Sequence, residues 1–310
     1  MSSVASIRET CPALTRSKNF LRFWQETLQQ LDSIPHAIKI LSSEETADGL
    51  RLQKLSFQSL DHVFIHAYLL TPHPIEHGPL IIYTHGYMGH CEVIWDWARQ
   101  GASVLGVDIR GFGESKHSVP ELSKHGYVIT GIQSEETSIL RGAICDYVRA
   151  AQVARELFKN SPKATIFYGK SFGGALASIA AALTQYADLL VAAVPTLAWA
   201  EGRRKLVTQG SGAEINAYIK AHPDKEQQIM NVLSYFDTMN FAPLIKCNTI
   251  IGLGLQDSYV PAETVYALIN HLSCPRQIRE YPVSHSSSPQ EKLWENFETE
   301  WLQLALSGKF

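Results

Sequence analysis

Thr165-Ile166-Phe167-Tyr168-Gly169-Lys170-Ser171-Phe172-Gly173-Gly174-Ala175-Leu176-Ala177 joins a short apolar run to an alanine-rich segment through a G-x-S-x-G core. The β-prone residues before Gly169 predict a buried strand, and the small residues after Ser171 predict a helix. A serine at such a strand-to-helix turn takes a strained backbone conformation, so small residues must stand two before and two after it. Gly169 and Gly173 supply them. The turn lifts Oγ clear of the chain and sets the N–H of Phe172 at a helix N-terminus, where negative charge is stabilised. The same residues contain Gly169-Lys170-Ser171, the ending of a phosphate-binding G-x-x-x-x-G-K-S loop. That loop needs glycine where this chain has Ala164, and a flexible backbone where it has Thr165-Ile166-Phe167-Tyr168, so the nucleotide reading is set aside.

Working outward, short apolar runs recur at Leu80-Ile81-Ile82-Tyr83, Val104-Leu105-Gly106-Val107, Leu190-Val191-Ala192-Ala193-Val194 and Thr249-Ile250-Ile251-Gly252-Leu253. Helix-like segments separate most of them. Strands without polar alternation belong to a sheet covered on both faces, hence a mostly parallel central sheet with crossover helices, the α/β class. Residues 50–70 instead alternate like antiparallel strands, and residues 19–31 carry Phe20, Phe23, Trp24, Leu28 and Leu31 on one helical stripe. The chain is read as a single domain over residues 1–310. Roughly fifty residues between the strand ending near Pro195 and the one starting near Thr249 exceed any ordinary connection. Their helical patterns at 213–221 and 224–236 predict a cap-like insertion over residues 197–245.

The bulk numbers exclude several classes. The 310 residues are 45% hydrophobic and 18% charged, with a net charge of −3, which argues against a nucleic-acid surface. No apolar run reaches membrane-spanning length, and the first ten residues lack the apolar core of a signal peptide. Cys11, Cys91, Cys145, Cys247 and Cys274 are odd in number and form no C-x-x-C, which predicts reduced thiols and a cytoplasmic protein. Six histidines fall between residues 62 and 90, at positions 62, 66, 73, 77, 85 and 90. Their spacings match no zinc signature, so neither a metal nor a cofactor is expected.

In open parallel sheets, ligands and catalytic residues gather at the carboxyl ends of strands. Three further strand ends carry suitable chemistry. After the third strand comes Thr84-His85-Gly86-Tyr87-Met88-Gly89, a turn able to direct the Tyr87 N–H beside that of Phe172 as an oxyanion hole. Gly254-Leu255-Gln256-Asp257-Ser258-Tyr259 offers an aspartate that either caps the helix starting near Pro261 or orients a histidine. Tyr281-Pro282-Val283-Ser284-His285 breaks a strand and presents one histidine on a loop. The order Ser171, Asp257, His285 is the chain order of α/β-hydrolases, and each residue lies just past a strand end. That agreement carries the expectation of a Ser-His-Asp triad.

With these residues in position, the chain resembles the acetyl xylan esterase and cephalosporin C deacetylase family of α/β-hydrolases, carbohydrate esterase family seven. The likeness runs nearly end to end: Phe20, Phe23 and Trp24; His85-Gly86-Tyr87; His125-Gly126-Tyr127-Val128; His222-Pro223-Asp224-Lys225; Leu233-Ser234-Tyr235-Phe236-Asp237; Asn240-Phe241-Ala242; and Gly254-Leu255-Gln256-Asp257 with residues 265–271. Three positions depart from the family pattern. Arg110-Gly111-Phe112 stands for its Arg-Gly-Gln, Ser171-Phe172-Gly173 for its Ser-Gln-Gly, and His285-Ser286 for its His-Glu. No departure removes a triad member, and Phe172 contributes its backbone. The resemblance implies a serine esterase of short-chain, acetyl esters of carbohydrate-like alcohols, a pocket walled by Tyr87, Pro195 and Tyr259, and assembly as a homo-oligomer. A thioesterase or peptidase on the same fold is the alternative among enzymes. A noncatalytic binding protein is the rival from another class, opposed by the complete triad.

Overall fold

The uninterrupted apolar runs become the centre of one twisted sheet. The computed structural model describes residues 4–73, 78–119, 121–159, 162–284 and 291–310. Among them the strands are β1 Lys39–Glu45, β2 Leu50–Gln58, β3 Phe64–Pro72, β4 Leu80–Thr84, β5 Ser103–Asp108, β6 Thr165–Lys170, β7 Leu189–Ala193, β8 Asn248–Gly254 and β9 Arg276–Tyr281. They lie in the order β1-β2-β3-β5-β4-β6-β7-β8-β9. From β5 to β9 all pairings are parallel, whereas β1, β2, β3 and β5 pair antiparallel. The expected α/β-hydrolase sheet, mostly parallel, is therefore present. One strand escaped the sequence reading: β1 is an edge strand with almost every side chain exposed, so it shows neither an apolar run nor alternation. The Leu80–Thr84 strand is consequently the fourth in the chain, not the third.

The helices are α1 Val4–Arg8, α2 Phe20–Asp32, α3 Trp95–Arg99, α4 Ile139–Leu157, α5 Phe172–Thr184, α6 Ala200–Leu206, α7 Gly210–Ala221, α8 Glu226–Ser234, α9 Thr238–Phe241, α10 Ala262–Ile269 and α11 Glu291–Ser307. Consecutive residues of β6 show that both faces of the sheet are covered, because neighbouring side chains point to opposite sides. Phe167 meets Tyr147 of α4 with ring centroids 5.4 Å apart. Tyr168 stacks on Trp301 of α11 at 4.8 Å and meets Trp97 of α3 at 5.2 Å. The stripe of α2 buries Phe20, Phe23, Trp24 and Leu31. Trp24 packs on Phe241 of α9 and donates its indole N–H to the carbonyl of Tyr235.

Two features of this topology position the site. The chain leaves β4 toward β5 on one side, while β6 pairs on the other, so the sheet reverses direction at the carboxyl ends of β4 and β6. Register holds those ends level: Thr84 pairs with Gly169 and Val107, Lys170 with Ala193, and Ala193 with Gly252. Helices α6 to α9 all fall in the connection between β7 and β8. No helix among the described residues is long and apolar enough to cross a membrane.

Candidate active site

Ser171 sits between β6 and α5 with φ 56° and ψ −112°. An L-residue adopts that conformation only at a cost of about 1–3 kcal/mol, which surrounding structure must impose. The imposing contacts are visible. The Ser171 N–H donates to Ala193 O at 2.8 Å, and its carbonyl accepts from Ala175 N at 3.1 Å and Thr196 N at 3.2 Å. The flanking glycines are required by close approach rather than by their own dihedrals. A Cβ at Gly169 would lie 2.1 Å from the Gly173 carbonyl, and one at Gly173 would lie 2.4 Å from Thr84 O. The elbow is thus pressed against the end of β4.

That end carries the next turn. A Cβ at Gly86 would lie 4.0 Å from Ser171 Cβ, so the His85–Gly86 backbone faces the serine directly. The His85 ring fixes the turn: its Nε2 accepts from the Ile109 N–H at 3.2 Å, which leaves the proton on Nδ1, 2.8 Å from Gly86 O. Burial lowers the His85 pKa, in keeping with this neutral tautomer. Among the described residues neither the Tyr87 N–H nor the Phe172 N–H has an acceptor. The Tyr87 ring is held in a cluster with Phe112, Tyr127 and Phe172, at centroid distances of 6.0, 6.0 and 5.7 Å. Its hydroxyl donates to Glu214 Oε2 of α7 at 2.6 Å, and burial raises the Glu214 pKa. Phe112 and Phe172, two of the three departures from the family pattern, are therefore neighbours around one tyrosine.

Asp257 follows β8 and is buried. Its Oδ1 accepts from the N–H groups of Tyr259 and Val260, both at 2.9 Å, an arrangement that fixes the carboxylate ahead of α10. The Leu255 and Gln256 N–H groups bond to Tyr281 O and Val283 O, so the aspartate loop runs alongside the segment leading to His285. His285 and Ser286 lie outside the described residues. A cavity of about 400 Å³ opens over Ser171, with Tyr87, Met88, Thr196, Ser211 and Tyr259 in its wall. Pro195 is buried behind the elbow, its Cα 3.3 Å from where a Gly174 Cβ would stand; the next residue, Thr196, is the one that lines the cavity.

Sequence reasoning missed several contributors. Glu214, Ser211 and Thr196 carry no motif, and only the helical pattern at 213–221 hinted that α7 exists. Among the described residues no group of three His, Cys, Asp or Glu is arranged to hold a metal ion. His77 lies outside the described residues.

The sequence profile of the acetyl xylan esterase (AXE1) family matches residues 3–303. The acetyl esterase Axe7A of Xylanibacter ruminicola is 22% identical over 307 residues, covering 94% of this chain and 67% of that protein. An acetyl xylan esterase structure from Paenibacillus sp. R4 superposes with a TM-score of 0.88 at 25% identity, covering 97% of this chain and 99% of the other. Acetyl xylan esterase 1 from Thermoanaerobacterium superposes with a TM-score of 0.87 at 22% identity, covering 98% and 99%.

Proposed function

The chain belongs to the acetyl xylan esterase family and is a carboxylic ester hydrolase; from that premise we propose that it is a serine esterase of short-chain, acetyl esters acting through Ser171, His285 and Asp257. The observation that carries the reading is the strained elbow: a serine held at φ 56° and ψ −112° and facing a cavity, near the Tyr87 and Phe172 N–H groups, which have no acceptor among the described residues. Ser171 Oγ attacks the ester carbonyl while His285 takes its proton. Asp257 orients the imidazole and stabilises its charged form. The Tyr87 and Phe172 N–H groups receive the oxyanion, which they stabilise more than the planar carbonyl. His285 then protonates the departing alkoxide, and water attacks the acyl-enzyme with His285 again as base.

The names of the relatives support acetyl as the acyl group. Residues 197–245 act in this reading as a cap whose α7 reaches the oxyanion turn through the Glu214–Tyr87 bond. Five unpaired cysteines support a reducing compartment such as the cytoplasm. Light scattering on the purified protein tests the homo-oligomer that the family resemblance implies.

A fluorophosphonate probe should label Ser171 and spare Ser171→Ala. Ser171→Ala and His285→Ala should each lower kcat by roughly 10⁴ to 10⁶-fold without loss of fold, because triad members act as a unit. Near-full activity in purified Ser171→Ala would end the serine-esterase reading.

A further inference from the structure

Arg203 of α6 is 4% exposed, and no carboxylate among the described residues pairs with it directly. Its guanidinium instead forks onto two hydroxyls, Nη1 donating to Thr196 Oγ1 and Nη2 to Ser211 Oγ at 3.1 Å. Burial lowers its pKa only to about 10, with Asp237 opposing through space, so it is charged at neutral pH. Both hydroxyls belong to residues lining the cavity over Ser171, and the Thr196 N–H bonds the Ser171 carbonyl.

A guanidinium has donors and no acceptor. Thr196 and Ser211 must therefore accept from Arg203 through an oxygen lone pair, which turns each hydroxyl proton away from it. Among the described residues neither proton has an acceptor. A buried cation without a paired carboxylate is a destabilising choice for a packing role that an apolar side chain would fill.

We propose that Thr196 and Ser211, oriented by Arg203, form a donor subsite in the wall of the catalytic cavity that takes an acceptor oxygen on the alcohol half of the ester. The inference rests on the serine-esterase reading. An acetyl group offers no oxygen beyond its carbonyl, and the Tyr87 and Phe172 amides take that one. The second acceptor must then come from the alcohol, as a hydroxyl or ether oxygen near the ester bond. Arg203 is a positioning residue: without its fork the two hydroxyls rotate and lose their common direction.

The test compares two acetates. Phenyl acetate has no oxygen on its alcohol half beyond the ester oxygen, whereas glycerol monoacetate has two further hydroxyls. In Thr196→Val/Ser211→Ala, the ratio of kcat/KM for glycerol monoacetate to that for phenyl acetate should fall at least about tenfold, about 1.4 kcal/mol, mainly through KM. Each single variant should show a part of this fall, which keeps the measurement decisive if the double variant does not fold. Arg203→Lys, which keeps the charge and loses the fork, should retain more of the ratio than Arg203→Met. A ratio within twofold of wild type in folded single and double variants overturns the subsite. Wild-type protein that turns over neither acetate overturns the esterase reading itself, and the subsite with it.

Discussion

At the scale of the residue, the site is governed by backbone approach. Gly173 is the sharpest case, because its missing Cβ would stand 2.4 Å from Thr84 O and 2.8 Å from His85 O. Neither oxygen can withdraw cheaply. Thr84 is paired on both sides within the sheet, and its hydroxyl is tied to Val107 O. Gly173→Ala must therefore separate the elbow from the Thr84–His85 turn by a sizeable fraction of an ångström. Misplacement on that scale costs on the order of 10²-fold in kcat, and overpacking adds about 1–3 kcal/mol of destabilisation. Active-site titration with kcat, alongside thermal melting, checks both; kcat within threefold of wild type would mean that the turn follows the elbow. Phe112 and Phe172 obey similar logic. At two positions where the family resemblance expects glutamine, this chain packs the Phe112 and Phe172 rings on Tyr87, whose hydroxyl donates to Glu214 of α7.

At the scale of the element, one carboxylate joins two helix starts. Asp237, 1% exposed, accepts from the N–H groups of Trp199 and Ala200 at the head of α6 and from Met239 in α9. Burial raises its pKa from 3.8 to about 6, against the pull of those three N–H donors and of Arg203. The folded state therefore holds a proton that the unfolded chain releases between about pH 4 and pH 6. Stability relative to Asp237→Asn should fall by roughly 2 kcal/mol between pH 4.5 and pH 7 and level off above that. Urea unfolding of both proteins at pH 4.5 and pH 7 measures it, and parallel curves would refute the shift. The central strands were legible because apolar runs buried on both faces leave no ambiguity of face. Strand β1 was not, since an exposed edge strand leaves no periodic trace. Ser171, Tyr87 and Tyr259 could be read as neighbours from strand-end motifs, and they do line one cavity, with Phe172 packed on the Tyr87 ring behind it. Glu214 and Arg203 could not, because a helix with polar residues on several faces does not reveal which one turns inward.

At the scale of the whole molecule, the cavity is assembled from segments distant in the chain: the turn after β4, the elbow after β6, Thr196 after β7, the head of α7, and Tyr259 after β8. Its volume of about 400 Å³ must accommodate both halves of the ester. The walls supplied by Tyr87 and Tyr259 have little freedom to retreat. Tyr87 is fixed by three rings and by Glu214, and the Tyr259 backbone is tied by its N–H to Asp257 Oδ1 at 2.9 Å. Each added methylene of the acyl group gains about 0.8 kcal/mol if it finds apolar surface, but forcing one into a packed wall typically costs about 1–3 kcal/mol. Two extra methylenes against these walls should therefore lose. The preference for acetate over butyrate should be at least about tenfold in kcat/KM, about 1.4 kcal/mol of transition-state discrimination. A series of p-nitrophenyl esters from acetate through octanoate measures it directly. Because Phe172 stands where the family has a glutamine, this comparison also reports what the added ring does to the acyl pocket. Rates that climb steadily along the series would mean that the aromatic cluster opens the pocket instead of closing it, and the acetyl preference would have to be abandoned.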